Sequence, residues 1–539
     1  MISQHLFPWR HKEWSLKADI IAGFIVAILI IPQAIGYGLL ANLPATSALA
    51  CCIFPLIAYA LFGNGRALAI GPVAIVSLMV GDALMDIPNA DKVAGAQLLA
   101  LQVALILFSL RVLKLANLVH FIGHPVIHGF TSAAAIIIIV KQIPLILGLK
   151  AFTLTPPNMI SVALGLAALL LLLLVSRLPN PTLSKLGPLF AIALGIMASF
   201  FLPEHTLSQV NIAADSPAIV FTRQLPWQYF NILLPSAALI ALIGFLESTS
   251  VAKILARKYK DNINANQEIL GLSFANLSAA LFQAYPVAGG FGRSMVNEQA
   301  GATSPLAGIF TALFVLVFLL FARPIIAFIP ITILGAIVIM AVWKLIDLKP
   351  LFKNWAIYPK DNIIWLSSFI GVLAISPDMG IAAGVVVSLF FLIRSASTPH
   401  MAIIGRIPNS AHFRNVNRHH VETHKPLLAI RIDEGLHFAN KEAVNHFLEK
   451  AIKSHPHAQH VLIVCSAVNI IDAEGIELLE IWSEKLQSQG RQLHLSEVKG
   501  PIMDTFEKIN FKQTLSPGKI FLSTHQAFNE LCTGPEYDI

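Results

Sequence analysis

Long apolar segments recur along most of the chain, and short polar loops separate them. The first apolar run extends from Ile20 to Leu40, and further runs follow up to about Arg394. Most are close to the roughly 20 residues that an α-helix needs to cross a bilayer. Because a backbone in lipid must satisfy its own hydrogen bonds, runs of this length predict helices. We count about 14 helical segments, two of them too short to cross a full bilayer of about 30 Å.

The composition separates a membrane part from a polar part. The 539 residues are 56% hydrophobic and only 12% charged, which is too apolar for an ordinary soluble protein. After about Pro399 the chain becomes charged and histidine-rich over a stretch long enough for one domain. We therefore predict a cytoplasmic N-terminal segment (1–19), a transmembrane domain (20–396) and a soluble C-terminal domain (397–539).

The positive charges indicate the orientation. Arg10, Lys12 and Lys17 precede the first apolar run, which predicts a cytoplasmic N-terminus by the positive-inside rule. We expect a multi-pass protein of a cell membrane, most simply a bacterial inner membrane, with both termini in the cytoplasm. Much of the net charge of +7 lies in loops between spans, so it does not indicate a nucleic-acid partner.

The stretch Tyr285–Asn297 combines a proline, three glycines and Arg293 between apolar segments. Broken helices at membrane depth are tolerated where the backbone lines a cavity or is buried in protein. A helix that begins near Phe291 would point its free N–H groups at such a cavity, with Arg293 in its first turn. This arrangement predicts an anion site. The alternative is a loop at the membrane edge with a snorkelling arginine.

The first half of the chain has a similar pattern. Pro32–Tyr37 predicts that the first span is unwound or kinked midway, and Ala69–Ala74 opens a short segment. In the second half, Glu247 lies within an apolar run, and the short segment at Phe291 follows. Interrupted segments at corresponding positions of two halves are typical of inverted-repeat transporters with a site at the midplane of the membrane.

The C-terminal part alternates predicted strands with predicted helices, which favours an α/β domain with one main sheet. The strands are 427–432, 460–465 and 491–496, and the helices are 441–452, 475–489 and 501–509. The four cysteines have no metal-binding spacing, and we interpret the clustered histidines as loop residues. We find no nucleophile–base pair and no phosphate-binding loop, so we expect no enzyme, no cofactor and no metal.

Four stretches carry a resemblance to a known family: Ile31–Tyr37, Ala69–Ala74, Gly123–Thr131 and Gln283–Ser294. Together they resemble the sulfate permease (SulP) family of anion transporters, and the C-terminal part resembles its STAS domain. The resemblance covers nearly the whole chain, and the motifs occur in the family's order.

The resemblance implies seven plus seven inverted spans. A core domain of spans 1–4 and 8–11 would move against a gate domain of spans 5–7 and 12–14 in an elevator-type cycle, in a homodimer. It places the substrate between the N-termini of the short spans 3 and 10, beside span 1, with a coupling carboxylate on span 8. The implied substrate-binding residues are Gln33, Tyr37, Val73, Ala74, Gly292, Arg293 and Ser294, and the implied proton-coupling residue is Glu247.

These features lead to a hypothesis of proton-coupled sulfate uptake. An oxyanion would bind backbone N–H groups at both helix starts, with Arg293 and the Ser294 hydroxyl adding donors. Glu247 would pair with Arg293 in the empty site, and its protonation would free the arginine for the anion. Bicarbonate, another monovalent anion or a dicarboxylate, moved by symport or exchange, and an uncoupled anion channel are the alternatives.

Two expectations concern regulation and stoichiometry. A cytoplasmic regulator would bind the STAS domain, but 472–475 lacks the phosphorylatable serine of soluble STAS regulators. Electroneutral sulfate uptake needs two protons, because each charge that crosses 100 mV is worth about 2.3 kcal/mol. Glu247 is the only evident intramembrane carboxyl in the sequence, so a second proton site, a steep anion gradient or a monovalent substrate must be considered.

Overall fold

The computed structural model describes residues 14–114, 123–149, 156–179, 184, 186–203, 206–210, 224–259, 261, 263–321, 323–352 and 355–532. Most of the predicted N-terminal segment, with Arg10 and Lys12, lies outside these residues. The chain divides into two compact units, Met1–Ser388 and Leu389–Ile539.

The first unit is helical. Its helices are α1 (Leu16–Leu40), α2 (Ala45–Ala50), α3 (Phe54–Phe62), α4 (Ala74–Ala83), α5 (Lys92–Val112), α6 (His124–Ile146), α7 (Met159–Ser176), α8 (Gly187–Phe201), α9 (Phe230–Lys258), α10 (Ala265–Leu281), α11 (Phe291–Gln299), α12 (Leu306–Phe321), α13 (Arg323–Ala327), α14 (Ile331–Val342), α15 (Lys349–Phe352), α16 (Pro359–Ala374) and α17 (Pro377–Ser397). Among the described residues, seven helical segments are long and apolar enough to cross a membrane, and four shorter ones are apolar. With α10, α11 and α16 they give the fourteen segments that the sequence predicts, which confirms the predicted fold class.

Of the two predictions for the first span, unwinding is wrong, because α1 runs without a break from Leu16 to Leu40 with Pro32 inside it. A kink at Pro32 stays a prediction. Proline removes one backbone donor, so the carbonyl of Ile28 loses its helical partner. Membrane helices tolerate such a loss when neighbouring helices or side chains compensate. The apolar composition of α1 therefore prevails over the local tendency of Pro32 to break a helix.

Helix packing divides the membrane unit into two bundles. One bundle contains α1 to α5 and α9 to α12, in which α10 packs on α3 and α5, and α1 packs on α11 and α12. The other contains α6, α7, α8, α14 and α16, in which α6 packs on α14 and α16. We call them the core bundle and the gate bundle, because they contain spans 1–4 and 8–11 and spans 5–7, 12 and 13, which the resemblance assigns to those domains. They touch through α1 with α8 and α14, and through α4 with α6.

A short antiparallel pair of strands joins the two halves of the core bundle. Strand β1 (Ile70–Gly71) directly precedes the start of α4, and β2 (Ala288–Gly289) directly precedes the start of α11. Ile70 pairs with Gly289 and Gly71 pairs with Ala288. The antiparallel pairing brings the N-termini of the two short helices towards the same place.

The second unit contains a six-stranded sheet in the order β4-β3-β5-β6-β7-β8. Its strands are β3 (Met401–Arg406), β4 (Phe413–Asn415), β5 (Leu427–Ile432), β6 (His460–Val464), β7 (Gln492–Ser496) and β8 (Ile520–Phe521), and its helices are α18 (Lys441–Ser454), α19 (Ala473–Ser488), α20 (Gly500–Lys508), α21 (Phe511–Leu515) and α22 (Thr524–Leu531). β5 to β8 are parallel, and β3 and β4 are antiparallel to their neighbours. The predicted α/β domain is confirmed, but β3, β4 and β8 were not predicted from their short, weakly patterned sequences.

Asp472 is the first residue of the stretch 472–475, in which the sequence analysis finds no phosphorylatable serine. It is the N-cap of α19, and its carboxylate accepts hydrogen bonds from the N–H groups of Gly475 at 2.9 Å and Phe438 at 2.8 Å. A carboxylate here satisfies free N–H groups and interacts favourably with the helix dipole. Asp472 therefore stabilises the loop without any modification.

Two histidines form a hydrogen-bonded pair inside the second unit. Nδ1 of His494 accepts a hydrogen bond from the N–H of Lys519 at 3.1 Å, so its Nε2 carries the proton and donates to Nδ1 of His460 at 3.1 Å. Burial, and next the neighbouring His460, lower the pKa of His494 to about 4. Burial also lowers the pKa of His460. The neutral pair is therefore the form that the fold stabilises.

We predict that the second unit loses stability as the pH falls from about 6.5 towards 4. Unfolded histidines protonate near pH 6.5, whereas folded His494 does not, so the unfolded state binds more protons in this window. The effect is absent above about pH 6.5. Amide hydrogen exchange of β7 in the full-length protein, corrected for intrinsic rates, measures it. His494→Gln should weaken the pH dependence, whereas exposed His412→Gln should not; an unchanged slope in His494→Gln contradicts the prediction.

Candidate anion-binding site

The N-termini of α4 and α11 are the structural basis of the site. Helix α11 begins at Phe291, as the sequence predicts, and both N-cap residues, Val73 and Gly290, have extended backbones. The first N–H groups of a helix have no carbonyl one turn back to bind. Each helix therefore presents free N–H donors and the positive end of its dipole.

Arg293 connects the start of α11 to the segment before α4. Its Nε donates to the carbonyl of Ala69 at 2.8 Å, its Nη1 to that of Pro72 at 2.5 Å, and its Nη2 to that of Ala288 at 2.9 Å. The residue is only 4% exposed. These bonds use three of the five N–H groups of the guanidinium. Arg293 therefore holds β1, β2 and both helix starts together.

Both the N–H and the carbonyl of Ala69 form hydrogen bonds with the start of α11. Its N–H donates to Oγ of Ser294 at 2.9 Å, and its carbonyl also accepts from the N–H of Gly290 at 3.2 Å. Ser294 is fully buried, so its hydroxyl serves the contact between the two halves in this conformation. Its role as a direct substrate donor stays a prediction, because a hydroxyl oxygen that accepts a hydrogen bond still has its own O–H to donate.

Two glycines leave room for the guanidinium. Gly71 has a φ of +152°, which side chains rarely adopt, and a Cβ there would lie 3.4 Å from Cζ of Arg293. A Cβ on Gly290 would lie 2.7 Å from the same atom. Gly290 is therefore required for the close approach of Arg293 to the backbone, and Gly71 is required for its positive φ.

Glu247 does not form the ion pair that the sequence suggested. It lies on α9, and its Oε2 is buried with no hydrogen-bond partner among the described residues. The bonds of Arg293 go to carbonyls instead, although Glu247, Arg293 and Tyr37 lie within electrostatic range of one another. The predicted direct pair is therefore wrong for this conformation, because the backbone of the other half provides closer acceptors.

The other predicted residues lie on the elements around the two helix starts. Gln33 and Tyr37 are one turn apart on α1, which packs against α4 and α11. Tyr37 is buried and Gln33 is half-buried. Val73 and Ala74 are buried at the start of α4, and Gly292 is exposed in the first turn of α11. The structure thus places every predicted site residue on α9, α1 or the two helix starts, which pack together.

Sequence reasoning missed several groups that hold the site. Ser248 accepts from the N–H of Gly289 at 2.7 Å, and Asn276 binds both the N–H and the carbonyl of Val287, at 2.9 and 3.1 Å. Both are buried polar side chains in apolar helices, which is a signal that the sequence offers. The carbonyls that bind Arg293 have no such signal, because every residue has a carbonyl.

Glu247 is not the only buried carboxyl of the membrane unit, which corrects the expectation from the sequence. Asp19 and Glu268 are fully buried, and Glu298 is 4% exposed. Each accepts hydrogen bonds from nearby donors: Asp19 from Thr303 and Ser304, Glu268 from Tyr59 and the Asn64 N–H, and Glu298 from Lys258 and Tyr259. These three carboxyls therefore stabilise contacts between helices.

Comparison with family models gives two matches. Residues 16–368 match the sulfate permease family, and residues 418–527 match the STAS domain. Together the two matches include most of both structural units.

Named relatives align along almost the whole chain. The chain is 32% identical to "Probable sulfate transporter 4.2" of Arabidopsis thaliana over 558 residues, which cover 97% of this chain and 82% of the relative. It is also 32% identical to "Sulfate transporter 4.1, chloroplastic" of the same plant, with 97% and 81% covered.

Solved structures share the fold. One described as the overall structure of SLC26A9 matches with a TM-score of 0.88 and 18% identity, and covers 96% of this chain and 90% of that one. Murine Slc26a9 in the inward-facing state gives 0.84 and 20%, with 96% and 92% covered. The transmembrane domain of a cyanobacterium bicarbonate transporter, BicA, gives 0.57 and 22%, with 70% and 96% covered.

We predict that Gly290→Ala destabilises the protein by about 1–3 kcal/mol, the usual cost of overpacking. The new methyl group would lie 2.7 Å from Cζ of Arg293, which three hydrogen bonds hold in place. This outweighs the gain of at most about 1 kcal/mol from a stiffer unfolded chain. Thermal unfolding in detergent measures the change. The matched control is Gly292→Ala, whose Cβ meets nothing within 4 Å; equal melting temperatures of the two variants would refute the prediction.

Proposed function

Because this chain belongs to the sulfate permease family, we propose that it is a secondary active transporter that couples sulfate uptake to proton entry. The family consists of multi-pass membrane transporters rather than enzymes. The names of the plant relatives support sulfate as the substrate. The proposal concerns three finer points: the anion, its site and the coupling ion.

The buried charge of Arg293 is the observation that carries the proposal. Arginine stays protonated in proteins, and a buried charge without a counterion is unfavourable. Among the described residues, no carboxylate lies within ion-pair distance of Arg293; its bonds go to carbonyls. The charge stands at the meeting point of two helix N-termini, where a bound oxyanion would neutralise it.

The proposed site uses groups from both halves. The backbone N–H groups of Val73, Ala74 and Gly292 would bind oxygens of the anion, and Gln33 and Tyr37 would contact it from α1. Arg293 supplies the charge and has two N–H groups beyond the three that bind carbonyls. Ser294 keeps the two helix starts in register through Ala69.

Glu247 is the proposed coupling residue on the core bundle. Its buried Oε2 has no donor among the described residues, so the charged form is poorly stabilised there. A proton on Glu247 would remove a negative charge near Arg293 and so favour the anion. By linkage, the bound anion would favour the proton to the same extent.

The rest of the proposal concerns movement and assembly. The core bundle would carry the site across the membrane by moving against the gate bundle, in an elevator-type cycle within a homodimer. Both termini would face the cytoplasm, and the second unit would bind a cytoplasmic regulator. The support for this movement is that the two bundles pack internally and meet along few helices.

We predict that Glu247→Gln abolishes the stimulation of sulfate uptake by an inward proton gradient. Glutamine keeps the size of the side chain but cannot bind the proton. Sulfate uptake driven by the gradient should therefore fall at least about tenfold, because a loss of about 1.4 kcal/mol of coupling energy corresponds to a factor of ten. Exchange of labelled for unlabelled sulfate needs no net proton movement and should persist. Radiolabelled uptake into proteoliposomes measures both, and exposed Asp86→Asn serves as the control.

Three results would contradict the proposal in whole or in part. Wild-type sulfate uptake at a rate that does not depend on the proton gradient would identify an uncoupled channel or exchanger. Absence of sulfate transport, together with transport of bicarbonate or a dicarboxylate, would refute the substrate. Unchanged pH-dependent uptake by Glu247→Gln would refute the coupling role alone.

A further inference from the structure

A cavity lies at one edge of the sheet in the second unit. Strands β5 and β6 are parallel, so the segments that lead into them, 423–426 and 455–459, meet at the same edge. Helix α22 packs on β6 and β8 beside these segments. The space between them has a volume of about 220 Å³. It lies at the opposite ends of β5 and β6 from the loop of Asp472, because Asp472 follows β6 in the chain.

The floor of the cavity is apolar. Leu427 and Ala429 of β5 and Phe528 of α22 line it, and all three are buried. The ring of Phe528 is held between those of Phe413 and His424, whose centroids lie 4.6 and 6.1 Å from its own. An apolar cavity of about 150 Å³ is large enough to bind benzene. This cavity therefore accommodates a body the size of an aromatic ring, with space left for a polar group.

The rim of the cavity is basic and rich in hydroxyl groups. Its polar lining residues are Thr423, His424, Lys425, Ser454, His455 and His457. Among the described residues that line the cavity, none is acidic. The adjacent Glu422 is paired with Arg406 at 3.0 Å, so its charge is already neutralised. The rim thus combines positive charge with hydrogen-bonding groups and has no carboxylate of its own.

The histidines of the rim come from two separate clusters in the sequence. His424 ends the cluster 412–424, whereas His455 and His457 belong to 455–460. In the part of the chain that the structure describes, no three His, Cys, Asp or Glu side chains are grouped in a way that could hold a metal ion. Nδ1 of His455 donates to the carbonyl of Ala451 at 2.9 Å, which leaves Nε2 for another partner. Basic side chains beside an apolar floor suit a ligand that has an acidic group.

We propose that this cavity binds a small organic anion, in which an apolar body of about one ring carries a phosphate or carboxylate group. The apolar body would lie against Leu427, Ala429 and Phe528, and the acidic group would bind the histidine-lined rim. The ligand would act on the second unit as a small-molecule regulator. The proposal goes beyond the proposed symport and does not depend on which anion or coupling ion the membrane unit carries. The alternative is a solvent-filled gap at an open sheet edge, which predicts no preference among ligands.

Four probes test the site on purified full-length protein. Phenyl phosphate and phenylacetate combine a ring with an acidic group, whereas benzyl alcohol has only the ring and inorganic phosphate has only the charge. Amide hydrogen exchange of β5 and of 455–459 reports binding, because a ligand slows exchange through unfolding by a factor of 1 + [L]/Kd, which is about tenfold at ten times Kd.

At least one of the two acids should slow this exchange, with a Kd at least about tenfold below those of benzyl alcohol and inorganic phosphate, which each lack half of the contacts. No slowing by either acid overturns the proposal. Slowing by benzyl alcohol or inorganic phosphate at the same concentrations as the acids also overturns it, because the cavity would then not require both parts of the ligand.

Two variants test the rim and the floor separately. His455→Gln/His457→Gln removes two exposed basic side chains from the rim and should raise the Kd of the tighter acid at least about tenfold, because charge-assisted hydrogen bonds are strong. Ala429→Val adds two methyl groups to the floor and should weaken binding of the same acid without faster exchange in the ligand-free protein. An unchanged Kd in both variants contradicts the assignment to this cavity.

His412→Gln/His446→Gln is the matched control for the rim. It also removes two exposed histidines of the second unit, but neither lines the cavity. The Kd of the tighter acid should remain that of the wild type. If the control weakens binding as much as His455→Gln/His457→Gln, the general charge of the second unit and not this rim attracts the anion, and the proposal is wrong.

Discussion

The membrane unit depends on one buried guanidinium, which joins its two halves. Arg293, in the first turn of α11, donates to three carbonyls, two of which lie just before or within the turn that leads into α4. The hydroxyl oxygen of Ser294, the next residue, accepts a hydrogen bond from the N–H of Ala69. Without these bonds, the carbonyl of Pro72 and the N–H of Ala69 would lose the partners that they have here, and a buried polar group without a partner costs about 1–3 kcal/mol. The two helix N-termini would then have no fixed relative position.

This interaction also explains the chemistry of the site. A charge that is bound by carbonyls is well held but not neutralised, because carbonyls contribute only partial charges. The site is therefore positive and rigid before any ligand binds, which lowers the ordering cost of binding an anion. The position of Arg293 also constrains the sequence: a side chain at Gly290 would collide with the guanidinium, because a Cβ there would lie 2.7 Å from its Cζ.

Much of this architecture could be predicted from the sequence, since apolar runs of membrane length and alternating strands and helices are strong patterns. The start of α11 at Phe291 was predicted because glycine and proline precede it. The acceptors of Arg293 were not, because Ala69 and Pro72 lie more than 200 residues away in the chain and carbonyls have no sequence signature. Pro32 did not unwind α1, because the packing of an apolar membrane helix outweighs the local preference of one proline.

The location of the anion is the most direct test of this account. Selenate has the shape and charge of sulfate, and selenium scatters anomalously, so crystals of the protein with selenate would show the ion. The account predicts an anomalous peak between the first turns of α4 and α11, beside Arg293, with its bonds to Ala69, Pro72 and Ala288 retained. A peak elsewhere in the membrane unit, in protein that binds selenate, would contradict it.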